Sequence, residues 1–377
     1  MNKIWLSSPH MGGNEMTYVK DAYDTNWIAP VGANITGFET ALEKYIDNKV
    51  KIACVSSGTA AIHLALILAG VTRDDEVLCQ SFTFSASANP IIYQGAKPIF
   101  IDSETVTWNM CPVALELAIK DRISKGKKPK AIIVVHLYGM PAKMNEICKI
   151  ASKYKIKLIE DAAEALGSTY KGLKCSSFGD FGILSFNGNK IITTSGGGAL
   201  VCKNEQDKQK VINLASQARD EAPHYQHSEI GYNYRMSNIL AGIGRGQMEV
   251  LDKHIALRRA MNQFYDNLFK NINGISVFKE PNQHYYSNHW LSCIIIDPKD
   301  TGFTREDLRL HLEKDNIESR PLWKPMHMQP VFKDCSYYGA NISEILFKNG
   351  LCLPSGSNLT DSDRKRIKSS IQKMITL

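Results

Sequence analysis

Long apolar runs, paired cysteine motifs and low-complexity segments are all missing from this sequence. No stretch approaches the roughly 20 consecutive apolar residues of a membrane-spanning helix, which argues against that class of membrane protein. The nine cysteines form no CxxC pair, and several lie in apolar, strand-like runs, so we predict buried thiols in a reducing compartment and no metal site. We therefore expect a soluble, cytoplasmic protein.

A dinucleotide fingerprint and nucleic-acid-binding patterns are also missing. The glycine cluster at residues 196–198 precedes an apolar run and opens no helix, which favours a tight loop. The net charge of +7 is spread along the chain, and its one compact basic run, at residues 125–130, is typical of a solvated loop before a strand. Neither a helix-turn-helix nor an aromatic-and-basic stripe supports a nucleic-acid partner. A mild positive charge would instead help to attract a small anionic substrate.

The composition that remains is that of an ordinary globular protein with an alternating pattern. With 377 residues, of which 44% are hydrophobic and 22% charged, the chain is long enough for a large core and two domains. Between about residues 50 and 200, short apolar strands alternate with helical patterns, which predicts an α/β domain with a mostly parallel sheet and a ligand at the carboxyl ends of its strands. The predicted strands are Lys51–Val55, Glu76–Gln80, Pro98–Asp102, Ala131–His136 and Lys157–Glu160, and the predicted helices include Thr59–Ala69 and Asn145–Tyr154.

The last third of the sequence has a different pattern. One long helical stripe from about Met236 to Asn271 predicts a helix that leaves the large domain and enters the next. Strands within residues 277–296, a helix at Thr304–Asp315 and a terminal helix at Asp361–Ile375 follow. We predict a large domain at residues 1–250 and a smaller α+β domain at residues 251–377.

One lysine and one aspartate follow two strands of the large domain. Lys190 lies in a small polar turn after an apolar strand that ends at Ser185, and Asp161 ends the strand that begins near Ile156. These groups suit pyridoxal phosphate, because the amine can form a Schiff base with the aldehyde and the carboxylate can pair with the protonated pyridine nitrogen. The sequence therefore predicts a pyridoxal-phosphate site with Lys190 and Asp161 as its catalytic residues.

Residues after two further strands could hold the phosphate and the ring of this cofactor. Gly58 and Thr59 open a helix, where amide groups and the helix dipole favour a phosphate, although Ser-Gly-Thr is also a good helix cap. The Ser185 hydroxyl could reach the same phosphate. Phe84 could stack on the ring, or it could be a core phenylalanine at a strand end.

Glu164, about one helical turn after Asp161, also has two interpretations. Its carboxylate could reach the phenolic oxygen of the ring or a sugar hydroxyl, or it could belong to an acid-rich helix N-terminus. No single motif is decisive. A phosphate loop, an aromatic residue, an aspartate and a lysine at the strand ends of one domain are nevertheless a rare combination.

Four longer motifs resemble those of the DegT/DnrJ/EryC1/StrS sugar aminotransferases, a family of fold-type I pyridoxal-phosphate enzymes. The motifs are Ile159–Gly167, Ser185-Phe186 with Lys190, Gly231–Ser237 and Arg320–His327, and the resemblance extends over nearly the whole chain. It implies an aspartate aminotransferase-like fold and a homodimer with shared active sites.

The resemblance also implies a role for each matching residue. Lys190 would be the Schiff-base lysine and proton shuttle, and Asp161 would pair with the pyridine nitrogen. Asn233 would reach the phosphate from the neighbouring subunit, while Trp27 and His327 resemble substrate-pocket residues. The other implied cofactor contacts are Phe84 on the ring, Gly58, Thr59 and Ser185 on the phosphate, and Glu164 near the ring oxygen.

Transamination is the activity that the resemblance favours. Dehydratase relatives carry histidine at the lysine position, where this sequence has Lys190. The motifs at residues 187–198 and 322–327 look most like those of enzymes that transfer an amino group from L-glutamate to C4 of a dTDP- or UDP-linked 4-keto-6-deoxy sugar. Their 4-amino-4,6-dideoxy products enter surface glycans such as O-antigen. A dehydratase or isomerase of the same family and a non-catalytic nucleotide-sugar-binding protein are the alternatives.

Overall fold

The computed structural model describes residues 2–375. Its strands are β1 (Lys51–Val55), β2 (Glu76–Gln80), β3 (Lys97–Ile101), β4 (Ala131–Val135), β5 (Lys157–Asp161), β6 (Thr169–Tyr170), β7 (Leu173–Lys174), β8 (Phe181–Ser185), β9 (Gly198–Cys202), β10 (Ile275–Val277), β11 (Tyr285–Tyr286), β12 (Ser292–Ile296), β13 (Arg320–Pro321), β14 (Tyr337–Tyr338) and β15 (Gly350–Leu353). Its helices are α1 (Glu15–Asp24), α2 (Ala33–Ile46), α3 (Gly58–Leu68), α4 (Asn89–Tyr93), α5 (Pro112–Ser124), α6 (Met144–Tyr154), α7 (Glu205–Ala215), α8 (Asn238–Met248), α9 (Leu251–Phe269), α10 (Pro298–Thr301), α11 (Arg305–Lys314), α12 (Ile342–Asn349) and α13 (Asp361–Ile375).

A large mixed sheet forms the centre of the molecule. Its strand order is β1-β9-β8-β5-β4-β2-β3-β14. Within the described residues, β9 is antiparallel to both of its neighbours, and the other strands run in one direction. The predicted mostly parallel α/β sheet is thus confirmed, with strand ends within one residue of the predicted ones. The carboxyl ends of β1, β2, β5 and β8 meet at the same edge.

Apolar side chains alternate between the two faces of this sheet. Val55, Ile133 and Ile183 pack on one face against α3, which is buried along most of its length. Cys54 and Leu184 point to the opposite face. Because strands covered on both faces need nearly continuous apolar sequence, this sandwich explains the Val- and Ile-rich runs of the central strands.

A second, antiparallel sheet with the order β10-β12-β15-β13 forms a smaller core near the C-terminus. Helices α9, α11 and α13 cover it with residues such as Tyr265, Leu308 and Ile367. The beginning of the chain belongs to the same core, because Ile4 is buried in it and pairs with Ile317. A short sheet, β11-β6-β7, joins residues of the two halves.

Two features of the C-terminal third differ from the sequence pattern. The predicted single helix from 236 to 271 is wrong, because α8 ends at Met248 and α9 begins at Leu251, with a non-helical φ of −117° at Val250. Helix α8 packs in the core of the large sheet, whereas α9 begins in that core with Leu251 and Ile255 and continues into the smaller core with Tyr265 and Phe269. The chain also returns to the large sheet through β14, beside β3. The predicted boundary between residues 250 and 251 stays a prediction.

The state of the cysteines and the hydrophobicity of the helices can be compared with the sequence prediction. All nine cysteines are free, and six of them are buried, as the apolar runs around them indicate. Across residues 2–375, none of the helices combines the length and the hydrophobicity needed to cross a lipid bilayer.

Candidate active site

A cavity of about 300 Å³ opens at the carboxyl edge of the large sheet. Loops after β1, β2, β5 and β8 form most of its wall, and Trp290 and Trp323 close it from the C-terminal third. Seven residues predicted from the sequence line this cavity: Gly58, Thr59, Phe84, Asp161, Glu164, Ser185 and Lys190. The parallel strands bring these residues together, although they are far apart along the chain.

Lys190 ends a short turn after β8. Its amide N–H donates to the carbonyl of Asn187 at 3.0 Å. Its side chain is 12% exposed, and Nζ lies 3.6 Å from Oε1 of Glu164 and 4.1 Å from the centre of the Trp290 ring. The amine is therefore held in the cavity between a carboxylate and an aromatic face, and both favour a cation.

Asp161 lies at the carboxyl end of β5 and is buried. The Ser87 hydroxyl donates to Oδ2 at 2.7 Å, and the Ala163 N–H donates to Oδ1 at 3.2 Å. Ser87 is in turn 2.8 Å from the hydroxyl of Thr83. No lysine, arginine or histidine nitrogen of residues 2–375 lies within salt-bridge distance of this carboxylate, so it is free to pair with a cationic ligand.

The beginning of α3 forms a small cradle beside β8. The Ser57 hydroxyl accepts the Ala60 N–H at 3.0 Å, and Gly58 and Thr59 line the cavity. A Cβ on Gly58 would lie 3.1 Å from the Cβ of Ser185, which shows how closely the helix approaches this strand. Backbone amides at a helix N-terminus and a hydroxyl are groups that bind a phosphate.

Glu164 is buried behind Lys190. Its Oε2 accepts the N–H of Tyr138 at 2.6 Å. Burial raises the pKa of this carboxyl above its ordinary range, and the charge of Lys190 and the Tyr138 N–H offset part of the rise. The alternative interpretation, an acid-rich helix N-terminus, does not fit, because none of the described residues between β5 and β6 begins a helix.

Phe84 lies at the rim of the cavity and is 52% exposed. Its ring is 5.3 Å from the ring of Trp323 and tilted by 48°. The alternative of a core phenylalanine is thus excluded, and the ring remains free to contact a flat ligand.

Three residues that contribute polar or aromatic groups to the cavity, Ser87, Trp290 and Trp323, have no role in the sequence prediction. Ser87 lies in the run after β2, but the pattern gives no sign that its hydroxyl meets Asp161. Trp323 belongs to the motif at residues 320–327, so the sequence could have indicated that it lies at the site. Trp290 follows no motif at all, and only the folded chain brings its ring to Lys190.

Three other predicted residues do not line the cavity. Asn233 is exposed and pairs through its backbone with Ser216. Trp27 is half exposed in the loop before α2. His327 contacts the Ser81 hydroxyl and the Glu344 carboxylate at 2.7 and 3.2 Å and stacks on Tyr337. The predicted phosphate contact of Asn233 and the substrate contacts of Trp27 and His327 stay predictions.

The chain is similar to named aminotransferases over nearly its full length. The sequence pattern of the DegT/DnrJ/EryC1/StrS aminotransferase family matches residues 9–372. EpsN of Bacillus subtilis (strain 168), named as a pyridoxal phosphate-dependent aminotransferase, is 50% identical over 369 residues, which cover 97% of this chain and 94% of that one. GDP-perosamine synthase of Escherichia coli O157:H7 is 37% identical over 374 residues, or 99% of each chain.

The solved structures agree with the sequence relatives. Spr1654 of Streptococcus pneumoniae, named as a sugar aminotransferase, has a TM-score of 0.90 to this chain in its PLP form, with 25% identity over 100% of this chain and 99% of that one. The same protein has also been solved in a PMP form. The fold, the cavity and these relatives agree, and the chain belongs to the DegT/DnrJ/EryC1/StrS family of sugar aminotransferases, whose cofactor is pyridoxal phosphate.

Proposed function

We propose that this protein transfers the amino group of L-glutamate to C4 of a nucleotide-linked 4-keto-6-deoxy sugar, with dTDP or UDP as the carrier. The 4-amino-4,6-dideoxy product would enter a surface glycan such as O-antigen. The observation that carries the proposal is the cavity in which Lys190 and Asp161 lie beside the cradle at the beginning of α3. The motifs at residues 187–198 and 322–327 support the sugar C4 specificity.

The residues of the cavity fit pyridoxal phosphate. The cradle of Gly58, Thr59 and Ser185 offers backbone amides at a helix N-terminus and a hydroxyl for the phosphate. Asp161 accepts two hydrogen bonds and has capacity for a further donor, as a protonated pyridine nitrogen requires. The Trp323 side chain at the same wall faces the Glu164 carboxyl and offsets part of the rise in its pKa.

Each side chain would contribute a distinct step. When bound, the cofactor supplies an electron sink for the bond changes at the amino-bearing carbon. The Lys190 amine would anchor the cofactor and, once released, hold and move the proton at the substrate carbon in both half-reactions. Asp161 would keep the pyridine nitrogen protonated. Glu164 would orient the lysine amine, which it approaches to 3.6 Å.

We also propose that a second copy of the chain completes the site. Asn233 is exposed and lies outside the cavity of its own chain, so it is available to a neighbouring subunit. The preceding loop carries the strongly exposed apolar residues Tyr225 and Ile230, at 81% and 84%. Large apolar side chains that are exposed in one loop favour an interface. A strictly monomeric active enzyme would contradict this part of the proposal.

The test is a coupled assay with purified protein, L-glutamate and a panel of dTDP-, UDP- and GDP-linked 4-keto-6-deoxy sugars. The panel includes GDP because one relative is named GDP-perosamine synthase. The expected result is one sugar whose mass rises by the difference between C=O and CH–NH₂, with an equal amount of 2-oxoglutarate. The control is the same protein without glutamate.

Each alternative gives a different result in this assay. A dehydratase or isomerase would change a sugar without forming 2-oxoglutarate from glutamate. A non-catalytic protein would bind a nucleotide sugar and return it unchanged. Either result would contradict the proposed function.

A further inference from the structure

Arg258, on α9, is a buried guanidinium without an acidic partner. It is 1% exposed, and among residues 2–375 no carboxylate lies within salt-bridge distance of it. Burial lowers its pKa to about 9, and its Nε has no hydrogen-bond partner among the same residues. An unpaired buried charge is costly, so this residue calls for an explanation beyond packing.

Four oxygen atoms from four separate segments accept the remaining donors of Arg258. Nη1 donates to the carbonyls of Trp290 at 2.7 Å and Ser355 at 3.4 Å. Nη2 donates to the Ser7 hydroxyl at 3.0 Å and to the carbonyl of Lys190 at 3.4 Å. The planar fork of a guanidinium suits such a junction, because it presents several donors in fixed directions.

Two of these acceptors belong to residues whose side chains meet in the cavity. Nζ of Lys190 lies 4.1 Å from the centre of the Trp290 ring. The adjacent carbonyl, that of Asn189, accepts both the Trp290 indole N–H and the Ser7 hydroxyl at 2.7 Å. Arg258 therefore holds the backbone behind the lysine and the backbone behind the aromatic ring at the same time.

The charged groups nearby do not explain why Arg258 is there. His254, one turn earlier on α9, stacks on His10 with 4.7 Å between ring centres, and burial lowers its pKa to about 4. Neither His254 nor Lys253 supplies a counter-charge to Arg258, because the imidazole of His254 is neutral near pH 7 and Lys253 carries a charge of the same sign. Tyr265, further along α9, ties the helix to the carbonyl of Pro354 at 2.8 Å with a neutral hydroxyl. A neutral donor is thus enough to attach α9 to this segment.

We propose that Arg258 is a positioning residue for Lys190, which fixes the lysine turn against Trp290 so that the amine stays directed at the reacting carbon. The inference rests on the proposed function, in which Lys190 is the reacting amine. The lysine has to find the same place after each release of the cofactor, so its own backbone must be rigid. Reactions of this kind are sensitive to small displacements.

The test compares three variants of the full-length protein. Arg258→Met keeps the length of the side chain and removes its donors, and Arg258→Lys restores a charge without the planar fork. Tyr265→Phe is the matched control, because it removes a buried hydrogen bond of the same helix that does not involve the lysine turn. The thermal midpoint of each variant is measured first, so that effects can be compared with the loss of stability.

The main readout is the rate at which apoprotein captures pyridoxal phosphate on Lys190. In the capture step the lysine amine condenses with the aldehyde carbon and releases one water, and borohydride then adds a hydride to that carbon while the nitrogen takes a proton. The modified peptide is quantified by mass. Steady-state kcat and KM for glutamate provide a second readout.

We expect Arg258→Met to capture the cofactor and turn over about 10- to 100-fold more slowly, with KM for glutamate little changed. Arg258→Lys should lie between this variant and the wild type, and Tyr265→Phe should capture the cofactor at the wild-type rate. Capture by Arg258→Met at the wild-type rate would overturn the inference. An equal loss in Tyr265→Phe at equal thermal stability would also overturn it, because it would assign Arg258 a general structural role.

Two further outcomes are distinguishable. If Arg258→Met does not fold, Arg258→Lys decides, because wild-type capture and kcat in that variant would contradict a need for the planar fork. If the wild-type protein captures no cofactor on Lys190, the proposed function fails rather than the role of Arg258.

Discussion

Lys190 and Asp161 occupy equivalent places at the ends of neighbouring strands, but they are held in different ways. Asp161 is fixed by residues of the large sheet and its loops, through the Ser87 hydroxyl and the Ala163 N–H. Lys190 is fixed by the C-terminal third of the chain, because its carbonyl accepts from Arg258 and its amine rests on the ring of Trp290. The acid half of the site, around Asp161, therefore depends on neighbouring loops of one sheet, whereas the amine half, around Lys190, depends on residues from the C-terminal third.

The two halves also differ in their surroundings. The Asp161 carboxylate is surrounded by hydroxyl and amide donors and lacks a cationic partner in the described part of the chain. The Lys190 amine already has a carboxylate at 3.6 Å and an aromatic face. A cofactor that brings its own positive nitrogen would thus complete the acid half. In the amine half, by contrast, a ligand that binds Lys190 would have to replace its contact with Glu164.

Of the substitutions that test this comparison, Lys190→Ala should reduce turnover the most. The variant loses the anchoring amine and the proton carrier together, so we expect turnover to fall by at least about 10⁴-fold. Borohydride treatment should attach no cofactor to the protein, while pyridoxamine phosphate should still bind. Lys157→Ala, at the opposite end of the sheet, is the control. A normal borohydride-stable adduct in Lys190→Ala would mean that another lysine is the anchor.

Asp161→Ala should have the next largest effect. Loss of the carboxylate removes the charge that keeps the ring nitrogen protonated, and we expect turnover to fall about 10²- to 10³-fold. The affinity for pyridoxamine phosphate should change far less, since the phosphate cradle lies at Gly58 and Ser185. Asp180→Ala, which removes a carboxylate bound to the other end of β5, is the matched control. Unimpaired turnover in Asp161→Ala would refute its role.

The sequence predicted the acid half of the site well, because its signals are local. A strand that ends at Asp161 and a helix that begins at Gly58 are visible in the alternation of apolar residues. The parallel direction of these strands then places their ends at one edge. The same reasoning placed Ser185 and Lys190 at this edge, since β8 ends at Ser185 and Lys190 lies in the turn that follows.

The contacts from the C-terminal third could not be predicted in the same way. Trp290 reaches the lysine turn across 101 residues, and no periodicity encodes such a contact. The apolar stripe continues through Glu249 and Val250, so it gave no sign of the turn between α8 and α9. Strand β14 has two residues, which is too short for a period to be recognised. Tertiary packing determines the Trp290 contact, the turn between α8 and α9, and the pairing of β14.

Ser87→Ala tests whether the surroundings of Asp161 can be changed without affecting Lys190. The variant removes one charge-assisted hydrogen bond to Asp161, worth about 1.5–3 kcal/mol, so kcat should fall about tenfold or more. Cofactor capture by Lys190 should stay at the wild-type rate, because the amine half does not depend on this hydroxyl. Ser168→Ala, which removes another buried hydroxyl away from the cavity, should lower the thermal midpoint without lowering kcat. Slower cofactor capture in Ser87→Ala would show that the two halves are coupled.

Glu164→Gln should have the smallest effect, and the effect should depend on pH. Burial raises the pKa of Glu164 in the folded state above its ordinary value of 4.5. Between these two values the folded protein binds more protons than the unfolded one, so the wild type loses stability as the pH rises through this range. The apoprotein of Glu164→Gln lacks this loss of stability. Urea unfolding at a series of pH values should therefore show that the free energy of unfolding of the variant, relative to that of the wild type, rises as the pH increases above 4.5. Glu313→Gln, on an exposed face of α11, is the control. A difference in the free energy of unfolding that is the same at every pH would contradict the raised pKa, and would mean that the ion pair with Lys190 fully offsets the burial of Glu164.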